Sequence, residues 1–161
     1  MKHDFLYEVE REYPVSIEVL WNAWVDAAQL EQWYHPTVLS VPAGTTTSEA
    51  EVGGKWTVAV AVPAEMTPNG QAYNAMFFGR YTEVEPRRLL VHTMHYTVDP
   101  EEFAAFDEST PNHLVRVDFE ARGENSWCKF TQFGEMPEAQ IEMTKAGMTS
   151  YFDSLEQFLA A

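Results

Sequence analysis

Apolar and charged residues alternate from Leu6 or Tyr7 through Tyr13, the two-residue period of a strand with one wet face, and Pro14 ends the run. The period then lengthens. Ser16 is placed to cap a short helix in which Ile17, Leu20, Trp21 and Trp24 recur at three- and four-residue spacing on one face. Asp26 caps a second short helix through Leu30 and Trp33, and His35-Pro36 stops it, because a residue before proline avoids helical geometry.

From Thr45 to Phe133 the pattern is one of strands divided by turn chemistry. Gly53-Gly54 breaks the chain before a strand over 55–62, and Asn69-Gly70 is a hairpin dipeptide before a strand within 71–84. Pro86-Arg87-Arg88 turns the chain into a strand over 89–98, and two more strands, 113–121 and 127–133, flank Arg122-Gly123-Glu124-Asn125. Antiparallel hairpins in a meander are the expected arrangement. Pro137 then opens a helix whose apolar stripe is Ile141, Met148, Phe152, Leu155 and Leu159. At ~1.5 Å per residue it spans about 35 Å, enough to lie across a whole sheet.

Strand, two short helices, about six strands and one long helix make an α+β chain, expected to form a single domain over 1–161. Five marks stand in that order: Arg11-Glu12-Tyr13-Pro14 leading to Val19-Leu20-Trp21-Asn22-Ala23-Trp24; Leu30-Glu31-Gln32-Trp33-Tyr34-His35-Pro36; Val52-Gly53-Gly54-Lys55-Trp56; the run from Gly79 to Leu90; and the terminal stretch from Gly147-Met148 to Leu159. Together they resemble the helix-grip fold of the START-like (SRPBCC) superfamily, and specifically the family named after the activator of heat-shock protein 90 ATPase. The resemblance implies a curved antiparallel sheet of about six to seven strands wrapped around the C-terminal helix, with a cavity between them. Two departures stand out. The family usually carries Trp where this chain has Met148, and its connection is usually shorter than the stretch from Asp99 to Asn112.

Charge narrows the choice of partners. Lys plus Arg is 10 against 25 for Asp plus Glu, a formal net charge of −15, so nucleic acid and anionic lipid are not expected partners. No apolar run approaches a membrane span or a signal peptide, and a cytoplasmic, soluble protein without membrane insertion is the expectation. Cys128 is the only cysteine, so no intrachain disulfide or thiolate metal cluster can form. With the parity of Phe130 it should be a small buried hydrophobe, leaving no nucleophile of promise.

Alternation assigns the inward positions. Trp56, Val58, Val60 and Val62 look inward from one strand and Val115, Val117, Phe119 and Ala121 from another, because Arg116, Asp118, Glu120 and Arg122 must take the opposite, wet parity. Trp33, Trp56, Met76, Phe78, Phe119, Phe130, Met148 and Phe152 are then candidate pocket residues, or else plain core. Thioethers such as Met76, Met94 and Met148 adapt to ligands of varied shape. His92 and His95 fall on opposite faces of a strand and cannot share a metal, whereas an inward His92 beside Met94 and Tyr96 offers a hydrogen bond or a proton. No metal, cofactor or catalytic set is implied. Asp99-Pro100 opens a capped helical turn with Phe103 and Phe106 on one side, readable as a lid, a homodimer contact or a loop tucked onto the sheet.

The expected function is binding of a hydrophobic or amphipathic small molecule under the long helix. Two other readings come from the resemblance: an enzyme similar to polyketide cyclases, with His92 or Tyr96 moving protons, and a module contacting a chaperone or its client. The second is the thinner, since eukaryotic relatives with chaperone activity carry an additional N-terminal domain.

Overall fold

The computed structural model describes residues 3–161; Met1 and Lys2, the first two residues of the domain expected over 1–161, lie outside them. Strand β1 (Asp4–Tyr13) leads into helices α1 (Ile17–Val25) and α2 (Ala27–Trp33). Six strands follow: β2 (Thr47–Ser48), β3 (Lys55–Val62), β4 (Tyr73–Glu85), β5 (Leu89–Thr97), β6 (His113–Arg122) and β7 (Asn125–Gly134). Helix α3 (Pro100–Ala105) interrupts them between β5 and β6, and α4 (Glu138–Ala160) closes the chain. The sheet order is β1-β7-β6-β5-β4-β3-β2, antiparallel throughout. This is the curved sheet with a long C-terminal helix that the sequence implied.

The caps form as their residue types require. Ser16 Oγ accepts from the Val19 N–H and Asp26 Oδ1 from the Ala28 N–H, both at 3.3 Å, so each short helix has one of its orphan donors satisfied. The β3–β4 connection differs from the expected tight hairpin. Residues 63–72 join the strands through a 3-10 turn (Ala64–Met66), and Gly70, with φ of 70°, makes a turn within that loop.

The core is aromatic and lies at one end of the sheet's inner face. Trp24 meets Trp33, Phe119, Phe130 and Phe152 with ring centroids 4.8 to 6.5 Å apart, and Trp33 Nε1 donates to the Ala23 carbonyl at 2.7 Å. Rings at such spacings add to the hydrophobic gain of their burial. The second half of α4 is fastened to this end. Arg11 Nη1 reaches Asp153 at 2.8 Å, Tyr13 Oη donates to the Phe152 carbonyl, and Ser154 Oγ donates to the His35 carbonyl.

The first half of α4 stands off. Among the described residues its one side-chain hydrogen bond to the rest of the fold is Thr144 Oγ1 to Met136 Sδ at 3.4 Å, beside the packing of Ile141 on the core, and Met143 is 71% exposed. Gly147 falls where the two halves meet, and a Cβ there would touch nothing within 4 Å.

Register corrects two inward assignments. Met76 pairs with Ala59 and Phe78 with Thr57 and His95, which puts both on the outer face, while the neighbouring Phe77 pairs with Val58 and Tyr96 on the inner one. The outer face here is not wet. Phe103 and Phe106 pack on Phe78 at 6.2 and 5.2 Å, and Lys55 and Arg80 lie over the Phe106 ring at 4.7 and 5.2 Å. Arg80 Nε also binds Glu108 at 2.8 Å. These contacts hold Phe106 in left-handed geometry, φ 52°, at the end of α3. The connection is therefore tucked onto the sheet face opposite the cavity, and α3 is no lid over it.

Candidate functional site

Where the first half of α4 separates from the sheet, a cavity of about 490 Å³ opens. Its sheet wall is Tyr7 of β1, Phe77 of β4, Met94 and Tyr96 of β5, His113 of β6, and Phe130 and Gln132 of β7. Its helix wall is Gln140, Thr144, Gly147, Met148 and Tyr151, with Tyr34 entering from beyond α2. Pro111, Glu135, Met136 and Pro137 form the rim. Pro111 is the only piece of the long connection to reach it.

The register explains the polar part. Tyr7 is opposite Gln132, and Tyr7 Oη donates to Gln132 Oε1 at 2.6 Å. The Gln132 amide nitrogen lies 2.7 Å from His113 Nδ1, and His113 Nε2 lies 3.1 Å from the Glu135 carbonyl. This chain of contacts has one consistent polarity, with Gln132 donating to Nδ1 and the Nε2–H donating to Glu135. Gly134 makes room for it: a Cβ there would sit 2.3 Å from His113 Cδ2, so the imidazole lies where a side chain would otherwise be.

Two further phenols have no such partner. Tyr34 is 4% exposed, its ring is 5.0 Å from that of Tyr151, and among the described residues neither hydroxyl makes a hydrogen bond. Burial pushes the Tyr7, Tyr34 and Tyr151 hydroxyls well above the ordinary phenol range, with the neighbouring phenols adding to the shift, so all three stay protonated.

Four of the residues singled out in the sequence line this cavity: Met94, Tyr96, Phe130 and Met148. The other seven do not. Trp33, Phe119 and Phe152 belong to the aromatic core, and Met76 and Phe78 face outward. Trp56 and His92 are inward, but they stack on each other at 4.0 Å away from the cavity. Sequence reasoning missed Tyr7, Tyr34, Phe77, His113, Gln132 and Tyr151. A polar Gln132 and His113 at the inward parity of Phe130 and Val115 were the available signal.

His92 is a core histidine. Its Nδ1 donates to the Thr93 carbonyl at 2.8 Å, and burial depresses its pKa to about 4 against the relief that hydrogen bond gives. His95, on the other face, stacks on Phe78 at 4.9 Å, meets Thr110 Oγ1 at 2.8 Å and is depressed by burial as well. Unfolded, His92 takes up a proton near its ordinary 6.5; folded, it resists until about 4. The unfolded state therefore binds the extra proton between those values. The contribution is complete above pH 6.5 and is lost as pH falls through about 4, a change of ~3 kcal/mol. Urea unfolding between pH 4 and 7 should show this slope, and His92→Phe should flatten it; an equally steep variant would contradict the assignment.

Cys128 is fully buried and its thiol is pushed up by burial, which leaves it inert. Among the described residues no three His, Cys, Asp or Glu come together as a metal site, and no helix is long and apolar enough to cross a membrane.

With this geometry, residues 14–160 match the family described as Activator of Hsp90 ATPase homolog 1-like protein, and the chain belongs to that family. The family typically binds hydrophobic ligands. Solved structures agree on the fold. An AHSA1 protein of Silicibacter pomeroyi is 23% identical, with a TM-score of 0.72 over 96% of each chain. A protein of Chromobacterium violaceum is 16% identical, with a TM-score of 0.71 over 94% of each. DynU16, from the dynemicin biosynthetic locus, is 16% identical with a TM-score of 0.66 over 98% of this chain and 48% of its own. No curated protein sequence matches.

Proposed function

We propose that this protein binds a hydrophobic or amphipathic small molecule in the cavity between α4 and the sheet. The observation that carries the reading is a space of about 490 Å³ with an aromatic and thioether wall and a few convergent hydroxyls. Ligand pockets commonly measure roughly 300–1,000 Å³ and have that mix of apolar lining and sparse polar groups. The weakly tied first half of α4 supplies an entrance, while the fastened second half keeps the wall in place. The proton-moving alternative loses one of its two groups, because His92 lies outside the cavity, and the other, Tyr96, is 58% exposed. A titration with an uncharged hydrophobic fluorophore, N-phenyl-1-naphthylamine, should give saturable binding at one site. Emission that rises linearly without saturation would remove the reading.

A further inference from the structure

Resting on that ligand reading, we infer that the natural ligand is uncharged and carries a carbonyl-type oxygen that accepts hydrogen bonds from Tyr34 and Tyr151, and that carboxylates of the same shape are disfavoured. Tyr34, buried, and Tyr151, half-buried, line the cavity, and no group among the described residues accepts from either hydroxyl. A ligand that covered these two donors without offering an acceptor would leave them unsatisfied at about 1–3 kcal/mol each.

The polar groups of the sheet wall from Tyr7 to His113 are already engaged. Tyr7 gives its proton to Gln132, Gln132 gives one to His113, and His113 gives its own to the Glu135 carbonyl. Tyr96 and Gln140 also line the cavity, but both are exposed and stay solvated, so the donors that a ligand covers are Tyr34 and Tyr151. Both remain protonated because burial opposes the phenolate, so they present O–H groups.

Charge decides the head group. No Lys or Arg lines the cavity, Glu135 stands at its rim, and the whole chain carries −15. A carboxylate would gain two charge-assisted bonds of roughly 1.5–3 kcal/mol each, but it would lose several kcal/mol of hydration without a counter-ion and would enter against a negative field. A ketone or ester oxygen takes the same two bonds without that loss. A quaternary ammonium would suit Glu135 and the aromatic rings, yet it has no acceptor and would leave both phenols unsatisfied.

Three ligands of one chain length separate these cases: 2-tridecanone, dodecanoate and dodecyltrimethylammonium, each competing with N-phenyl-1-naphthylamine at pH 8 below its micelle concentration. The ketone should displace the fluorophore at a concentration at least tenfold below that of dodecanoate. In the double variant Tyr34→Phe, Tyr151→Phe, the ketone should lose at least fivefold more affinity than the fluorophore does, with the melting temperature reporting that the fold is kept. Equal displacement by the carboxylate, tighter binding of the ammonium, or a ketone indifferent to the double variant would overturn the inference and leave the ligand reading standing. Absence of saturable fluorophore binding would remove both.

Discussion

Met148→Trp should abolish binding of an uncharged hydrophobic fluorophore and leave the stability of the fold within about 1 kcal/mol of the parent. Met148 is 5% exposed, belongs to the stripe of α4 that faces the sheet, and forms part of the cavity wall beside Gly147. A larger side chain forced into close-packed surroundings costs about 1–3 kcal/mol. Here the indole has about 490 Å³ of open space before it, so it fills the cavity instead of displacing neighbours. The resemblance adds a reason to expect tolerance, since the family usually carries Trp at this place. Thermal unfolding and a fluorophore titration on both proteins check the prediction. A variant that binds as the parent does, or that loses several kcal/mol, would show that Met148 faces packed core.

Trp33→Ala should do the opposite. Trp33 is completely buried, its indole N–H is bound to the Ala23 carbonyl at 2.7 Å, and its ring meets Trp24 at 4.8 Å and Tyr34 at 5.3 Å. Truncating a buried tryptophan costs about 3–5 kcal/mol, and the Ala23 carbonyl loses its partner as well. Against a total stability of roughly 5–15 kcal/mol this is a large fraction, and the melting temperature should fall by ~10 °C or more. A fall of only a few degrees would contradict the placement of Trp33 at the centre of the core.

The contrast between these two residues shows how far the sequence could be read. Both lie on apolar stripes, and periodicity alone gives them the same status. The elements were legible because each has its own punctuation: Ser16 and Asp26 as caps, His35-Pro36 as a stop, Gly53-Gly54 and Pro86-Arg87-Arg88 as turns. The site was less so. In β4 the run Ala75-Met76-Phe77-Phe78 is apolar at both parities, because the inner face meets the cavity while the outer face meets Phe103 and Phe106 of the long connection. Alternation is informative only where one face is wet, as in β6 with its charged Arg116, Asp118 and Glu120. Tyr34 gave no periodic signal, since it lies one residue beyond the end of α2 and reaches the cavity by way of the turn before Pro36.

The separation of α4 into a fastened half and a free-standing half also divides the molecule for an engineer. Positions such as Gln140, Thr144 and Tyr96 line the cavity without belonging to the buried aromatic cluster. A combinatorial library confined to them would sample new recognition properties on a scaffold whose folding rests on other residues, because substitutions at sites that share no partners tend to add independently.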